Sequence, residues 1–414
     1  MKTKLTIGVL ASAALLLSTA FAAAQTTLNA IFMSQSAYSE ADVRNMTTDF
    51  QAANPDIKVN LEFVPYEALH DKIVAAQGAG SGGYDVALFD VIWPAEFATK
   101  GFLLDVTDKI PAELDDQIFD GAWTTVLYDG KKYGMPWILD TKYLFYNTEI
   151  LEKAGIAAPP KSWGELVEQA KIIKDKGLLE HPIVGSWSQS EAMICDYALL
   201  TSAFGGSFLT DGKPSFQSGG SLQAVEFMKK TLDDGLTSPA SLEYLEEDVR
   251  RVFSNGEAAF ALNWTYMNAL ANDPKESKVA GKVGILPAPG VEGVSTVSAV
   301  NGSMGLGITS TSQNPDAAWK FITFLTSQPT QNKYAKLSLP IWKSSYSDPA
   351  VTTGQESVVA AATESIGAMF PRPLVPAYPE ISSILQRAVH SVLLGQADAK
   401  TALEGAAGEV ERIR

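Results

Sequence analysis

The sequence predicts an α/β protein of two domains, and three observations carry that prediction. Segments with apolar residues at helical spacing alternate with short apolar or period-two segments, as in strands joined by helices. The stretch YDVALFD at residues 84–90 has a continuous apolar centre, which suits a strand buried on both faces of a parallel sheet. A chain of 414 residues, 46% of them hydrophobic, can fill two cores.

The elements follow in order. Ser39 with Asp42 forms a capping-box pattern, and Val43, Met46 and Phe50 recur at helical spacing until Asn54-Pro55-Asp56 stops the helix. Val59, Leu61 and Phe63 alternate as a strand, and Leu69, Ile73 and Ala76 mark the next helix, which ends in the glycine-rich loop 78–83. After the 84–90 strand, Pro94 and Gly101 bracket a short helix. Tyr128-Asp129-Gly130-Lys131 signals a hairpin before YGMPWILD (133–140) and KYLFYN (142–147). Ser162 with Glu165 caps a helix, Asn255-Gly256 ends another, and 258–264 reads as a strand. Pro, Gly, Val and Ser dominate 286–303, the expected crossing between lobes. Asn314-Pro315 opens a helix whose Trp319, Phe321 and Ile322 face a core, and four prolines between 371 and 379 precede two final helices.

Charge and composition exclude several functions. With 32 Lys+Arg against 47 Asp+Glu, the formal charge is −15, the wrong sign for nucleic-acid phosphates or anionic membrane surfaces. Cys195 has no partner for a disulfide, and His70, His181 and His390 are too scattered for a zinc set. At the N-terminus, Lys2 and Lys4 precede an apolar run at 5–17 and the small residues Ala22-Ala23-Ala24, as in a signal peptide cleaved after residue 24. No later segment is apolar enough to insert stably in a bilayer, and no cysteine near the cut invites a lipid. The expected mature protein is periplasmic.

Enzyme motifs fit poorly. Gly78, Gly80 and Gly83 match G-x-G-x-x-G, but they follow a helix and precede a strand, opposite to the order that places phosphate on a helix N-terminus. Cys195, in the apolar run MICDYALL, reads as a buried thiol. No metal and no cofactor are called for. Asp90 and Asp140 could serve as the acid and base of a glycosidase, since that chemistry requires two carboxylates across a sugar.

The same residues have a more economical use. Sugar hydroxyls need charged or amide partners, and apolar ring faces need flat aromatic surfaces. Asp90 ends an apolar strand, where open α/β sheets bind ligands, and Trp93 follows one turn later. Trp264 and Tyr266 follow the 258–264 strand, and Arg372 stands in a proline-rigid loop. Trp123, Trp163 and Trp319 read as structural.

Seven blocks then resemble, in order, the bacterial extracellular solute-binding proteins of family 1, the maltose-type receptors of ABC sugar importers, and especially their trehalose/maltose branch. They are FQAANPDIKV from Phe50, YDVALFDVIWPAEFATKGFLLDVTD from Tyr84, YGMPWILDTKYLFYNTEILEKAGIAAPPKSWGEL from Tyr133, FSNGEAAFALNW from Phe253, GKVGILPAPG from Gly281, NPDAAWKFITFLTS from Asn314 and RPLVPAYPEISSILQRAVHSVLLGQ from Arg372. The resemblance implies a two-lobed periplasmic binding protein fold (type II), each lobe a mainly parallel sheet flanked by helices, with the ligand cleft between them. It places the N-terminal lobe at 25–141 plus 286–327 and the C-terminal lobe at 142–285 plus 328–414.

By the same resemblance, the ligand contacts fall on Asp90, Asp140, Trp264, Tyr266 and Arg372. The branch's Gly-Gly-Trp is replaced by Asn301-Gly302-Ser303, so Asn301 and Gly302 border a more polar subsite without the stacking tryptophan. Gln35 stands in for an absent acidic residue, and His70 lies near another contact position. The implied function is a monomeric periplasmic receptor that carries a small sugar, disaccharide or glycoside to an inner-membrane ABC permease. A glycosyl polyol or another polar osmolyte is the alternative cargo, and a secreted glycosidase is the alternative of another class.

Overall fold

The structure, a computed structural model, describes residues 25–34, 37–79 and 83–413. The expected signal peptide and Gln35 lie outside the described residues. Two sheets carry the architecture. Their strands in chain order are β1 (Thr26–Met33), β2 (Ile57–Val64), β3 (Val86–Asp90), β4 (Met135–Ile138), β5 (Tyr143–Asn147), β6 (Ile183–Val184), β7 (Phe260–Asn263), β8 (Val283–Pro289), β9 (Val297–Val300), β10 (Met304–Ile308) and β11 (Met369–Phe370). The first sheet has the order β2-β1-β3-β10-β4, and the second the order β11-β9-β8-β5-β7-β6.

The helices that shape the cleft are α1 (Glu40–Ala53), α2 (Tyr66–Gly78), α3 (Pro94–Thr99), α4 (Glu191–Ala203), α5 (Glu246–Ser254), α6 (Tyr266–Ala271) and α7 (Tyr378–Leu393). Their starts follow the sequence signals. Ser39 and Asp42 form the reciprocal capping box of α1, and Pro94 occupies the first turn of α3. A side-chain cap of this kind stabilises a helix by about 1 kcal/mol. Val43, Met46 and Phe50 are buried against the first sheet, and β3 is buried along its whole length. The hairpin forms as read, with Asp129 and Gly130 at φ 48° and 72° between strands Leu127–Tyr128 and Lys131–Lys132.

Both sheets are mixed, whereas mainly parallel ones are expected from the sequence. The first pairs β1 with β2 and β3 in parallel but β10 antiparallel to β3 and β4. In the second, β5 is antiparallel to β7 and β8. The cause is the traffic between the sheets. A strand arriving from the opposite sheet starts at the cleft and runs away from it, against neighbours whose carboxyl ends point into it. Thus Met304 opens β10 opposite Asp90 at the end of β3, and Tyr143 opens β5 opposite Asn263 at the end of β7.

The return crossing also lies later than read. Residues 283–300 pair within the second sheet, so the chain re-enters the first sheet through 301–303 instead of from 286 onward. This crossing and the earlier one at 139–142 are tied together. The Gly302 N–H donates to the Asp140 carbonyl at 3.1 Å, and the Val300 N–H donates to Thr141 Oγ1 at 3.0 Å.

Candidate functional site

A cavity of about 320 Å³ opens where the two sheets face each other. The ends of β1, β2 and β3 bring Met33, Ser34, Tyr66 and Asp90 to one wall, while α4, α5 and the end of β7 bring Glu191, Glu246 and Trp264 to the other. Asp140, Gly302 and Arg372 line it from the crossings and the proline-rich loop.

Arg372 is the centre of the first polar network. Only 1% exposed, it donates through Nη2 to Asp90 at 2.9 Å and to the Asn301 carbonyl at 3.1 Å, and through Nη1 to Glu191 at 2.8 Å. One guanidinium therefore bridges a carboxylate at the end of the first sheet's β3 and another at the start of α4. Asp90 also accepts from the Tyr66 hydroxyl at 3.0 Å, and Glu191 accepts from the Tyr378 and Ser382 hydroxyls. Arg372 Nε has no partner among the described residues, although a buried donor is costly to leave unpaired.

Asp140 is also buried, but no cation accompanies it. Its carboxylate accepts from Thr265 Oγ1 at 2.6 Å and from the N–H groups of Thr265 and Thr141 at 3.2 and 2.9 Å. Burial pushes its pKa up to about 7, with these three hydrogen bonds pulling the other way.

Trp264 is held from several sides. Its Nε1–H donates to Glu246 at 3.2 Å, and Lys142 Nζ stands 5.2 Å from its ring centre, a cation–π arrangement. Lys142 is completely buried and bonds Asp196 at 2.6 Å and Ser186 at 2.8 Å, with Glu246 at 3.4 Å. Burial works against its charge, and Asp196 and Glu246 outweigh burial, so its pKa is raised. Gly302 lies flush against the indole. A Cβ added there would stand 2.2 Å from a ring carbon, so any larger residue displaces Trp264.

Of the sequence-predicted residues, Asp90, Asp140, Trp264, Gly302 and Arg372 line the cavity. Four others do not. Tyr266 opens α6 and packs into the second core, its hydroxyl without a partner among the described residues. Asn301 acts within the crossing, its amide donating to the Gly121 carbonyl at 3.1 Å and to Thr124 Oγ1 at 2.9 Å. Trp93 stands one layer back, stacked on Tyr66 with centroids 5.7 Å apart, and His70 sits behind it, 2.7 Å from Glu96.

Sequence reasoning missed Tyr66, Glu67, Glu191, Glu246 and Glu247. A signal for the first pair existed, because the strand-end rule that finds Asp90 applies equally after β2. The other three sit in acidic first turns of α4 and α5, a feature that looks identical to ordinary helix capping.

Among the described residues no group of three His, Cys, Asp or Glu could hold a metal ion, and no helix is long and apolar enough to cross a membrane.

Residues 34–332 match the family model described as bacterial extracellular solute-binding protein. The Deinococcus radiodurans protein named "Probable ABC transporter-binding protein" is 30% identical over 354 residues, 81% of this chain and 81% of that protein. Among solved structures, maltose-bound T. maritima MalE3 superposes with a TM-score of 0.87 at 32% identity, covering 94% of this chain and 100% of that one. A solute-binding protein of an Agrobacterium radiobacter ABC transporter, in complex with ribitol, gives 0.85 at 25% identity over 95% of this chain and 100% of that one.

Proposed function

The chain belongs to the bacterial extracellular solute-binding protein family, and on that premise we propose that it captures a carbohydrate or polyol in the cleft and delivers it to an ABC permease. The observation that carries this reading is the convergence on one cavity of buried charged groups, Asp90, Asp140 and Arg372, with the indole of Trp264. Such a set matches the two faces of a sugar, its hydroxyl rim and its apolar ring. Arg372 holds Asp90 and Glu191 at the cavity through its two Nη groups. Asp140 accepts hydroxyl protons beside it, and Trp264 offers the ring-stacking surface.

The two crossings at 139–142 and 301–303 act as the hinge, and binding stabilises the closed arrangement because the ligand touches both walls. The N-terminal lysines and apolar run, together with the family, support export to the periplasm. The ribitol complex of the related Agrobacterium protein supports keeping polyols beside mono- and disaccharides as cargo. Binding is stoichiometric and leaves the solute unchanged.

The test is thermal denaturation of the purified protein against a panel of mono-, di- and trisaccharides and polyols, with each mixture analysed for breakdown products. A ligand at a hundredfold excess over Kd adds about 2.7 kcal/mol to folding stability and raises the midpoint. A shift with intact solute is expected. Products in the mixture would assign Asp90 and Asp140 to glycoside hydrolysis instead.

A further inference from the structure

The χ2 torsion of a tryptophan is soft, with a broad energy profile, so the plane of an indole is set by its contacts. Trp264, which lines the cleft, is held differently at its two ends. Its six-membered ring lies against Gly302, where a Cβ would stand 2.2 Å from Cζ3. At the other end its Nε1–H donates to Glu246 Oε1 at 3.2 Å, and among the described residues this is the acceptor that N–H has.

Glu246 is itself fixed relative to that indole. Asn263, fully buried at the end of β7, accepts the Trp264 backbone N–H on Oδ1 at 2.9 Å and donates through Nδ2 to the Glu246 carbonyl at 2.9 Å. One amide therefore clasps the backbones of both residues. Lys142 Nζ, 3.4 Å from the same Oε1, gives that oxygen a second cationic neighbour besides the indole donor. Lys142 keeps Asp196 at 2.6 Å and Ser186 at 2.8 Å whether or not Glu246 is present, so removing the Glu246 carboxylate leaves no unpaired buried charge.

We propose that Glu246 is the positioning residue of the stacking indole, and that it thereby sets how strongly the cleft prefers cyclic over acyclic solutes. A pyranose binds through its apolar face as well as its hydroxyls, so its affinity depends on the plane of the indole. An alditol chain has no such face and binds through its hydroxyls alone. Losing the Nε1 bond frees the plane and withdraws the preference, while the hydroxyl partners elsewhere in the cleft stay in place. This rests on the carbohydrate-receptor reading above and deepens it by naming what separates its two classes of cargo.

Wild type, Glu246→Ala and Glu246→Gln are titrated calorimetrically with the cyclic and acyclic solutes that shift the thermal panel most. Glucose with glucitol, mannose with mannitol and xylose with xylitol are included as matched pairs. Glu246→Ala is expected to weaken the cyclic solutes at least about tenfold, the scale of one hydrogen bond to a charged group, and the acyclic ones no more than about threefold. Glu246→Gln should recover most of the cyclic affinity, because Lys142 and the indole N–H are both donors and turn the amide oxygen toward them. In a Trp264→Phe background, which lacks the N–H and keeps a flat ring, Glu246→Ala should cause little further loss. Glu246→Leu, which restores volume without an acceptor, takes the place of Glu246→Ala if the latter does not fold. Equal losses for cyclic and acyclic solutes, undiminished binding to Glu246→Ala, or a wild type that binds acyclic solutes alone overturns the inference and leaves the receptor reading intact. If wild type binds cyclic solutes alone, the combined variant decides, and full additivity of its two losses overturns the inference. If no compound binds wild type, both fall.

Discussion

The two walls of the cleft are braced in opposite ways. Behind the first wall stands a stack of rings: Tyr66 on Trp93, Trp93 beside His70 at 5.2 Å, and His70 on Phe97 at 5.6 Å. Behind the second stands a buried ionic knot, Lys142 with Asp196 and Glu246, against which Trp264 rests. A stacked wall tolerates the loss of one polar atom, because ring contacts are numerous and individually weak. An ionic wall fails when one partner is removed, because the other is left charged and buried.

The largest effect predicted from this difference is at Lys142. Lys142→Met should cost about 3–5 kcal/mol in urea denaturation, and adding Asp196→Leu should recover most of it. Equal costs for the single and double substitutions would show that the knot braces by packing alone. Next, Trp264→Ala should weaken solute binding by about 2–4 kcal/mol with a native circular dichroism spectrum retained. Gly302→Ala should cost about 1–3 kcal/mol in stability, because the added methyl is forced into the indole. It should also lower affinity, read by the same titration.

On the first wall, Tyr66→Phe removes only the bond to Asp90 and should cost about 1 kcal/mol. The smallest effect lies at His70, a partly exposed member of the stack. Burial opposes the charge of His70, but hydrogen bonds and charge from Glu96 and Asp71 win, so its pKa is raised from 6.5. Burial likewise opposes the charge of Glu96, but His70 and Lys100 lower its pKa from 4.5. The histidine's contribution is therefore full below pH 6.5 and lost as the pH rises through its folded value. The glutamate's contribution is present above pH 4.5 and lost as the pH falls through its folded value. A denaturation profile should show this local gain greatest between those limits, and His70→Gln should flatten its alkaline side.

Much of this was legible in the sequence because it depends on local rules. Capping boxes, the Asp129-Gly130 turn and the apolar run of β3 each dictate a conformation from neighbouring residues alone. Asp90 was legible for the same reason, since a carboxylate closing a buried strand must face the sheet's end. Tyr266 was not. The resemblance pairs it with Trp264 as a ligand contact, but the strand stops at Asn263 and Tyr266 opens a helix, which turns it toward the core. The mixed sheets and the crossing at 301–303 were illegible because they depend on which lobe each returning strand joins. Glu191 and Glu246 were hidden for a related reason. A helix's first turn gives no sign of the surface it meets until the lobes are assembled.

Calorimetric titration of the purified protein with the solute that raises its melting point most tests the receptor claim most directly, alongside the same titration of Trp264→Ala and recovery of the solute afterwards. The cleft reading predicts one molecule bound per chain, unchanged chemically, with affinity lost in the variant. Undiminished binding to a folded Trp264→Ala protein, or a solute recovered as cleavage products, would contradict it.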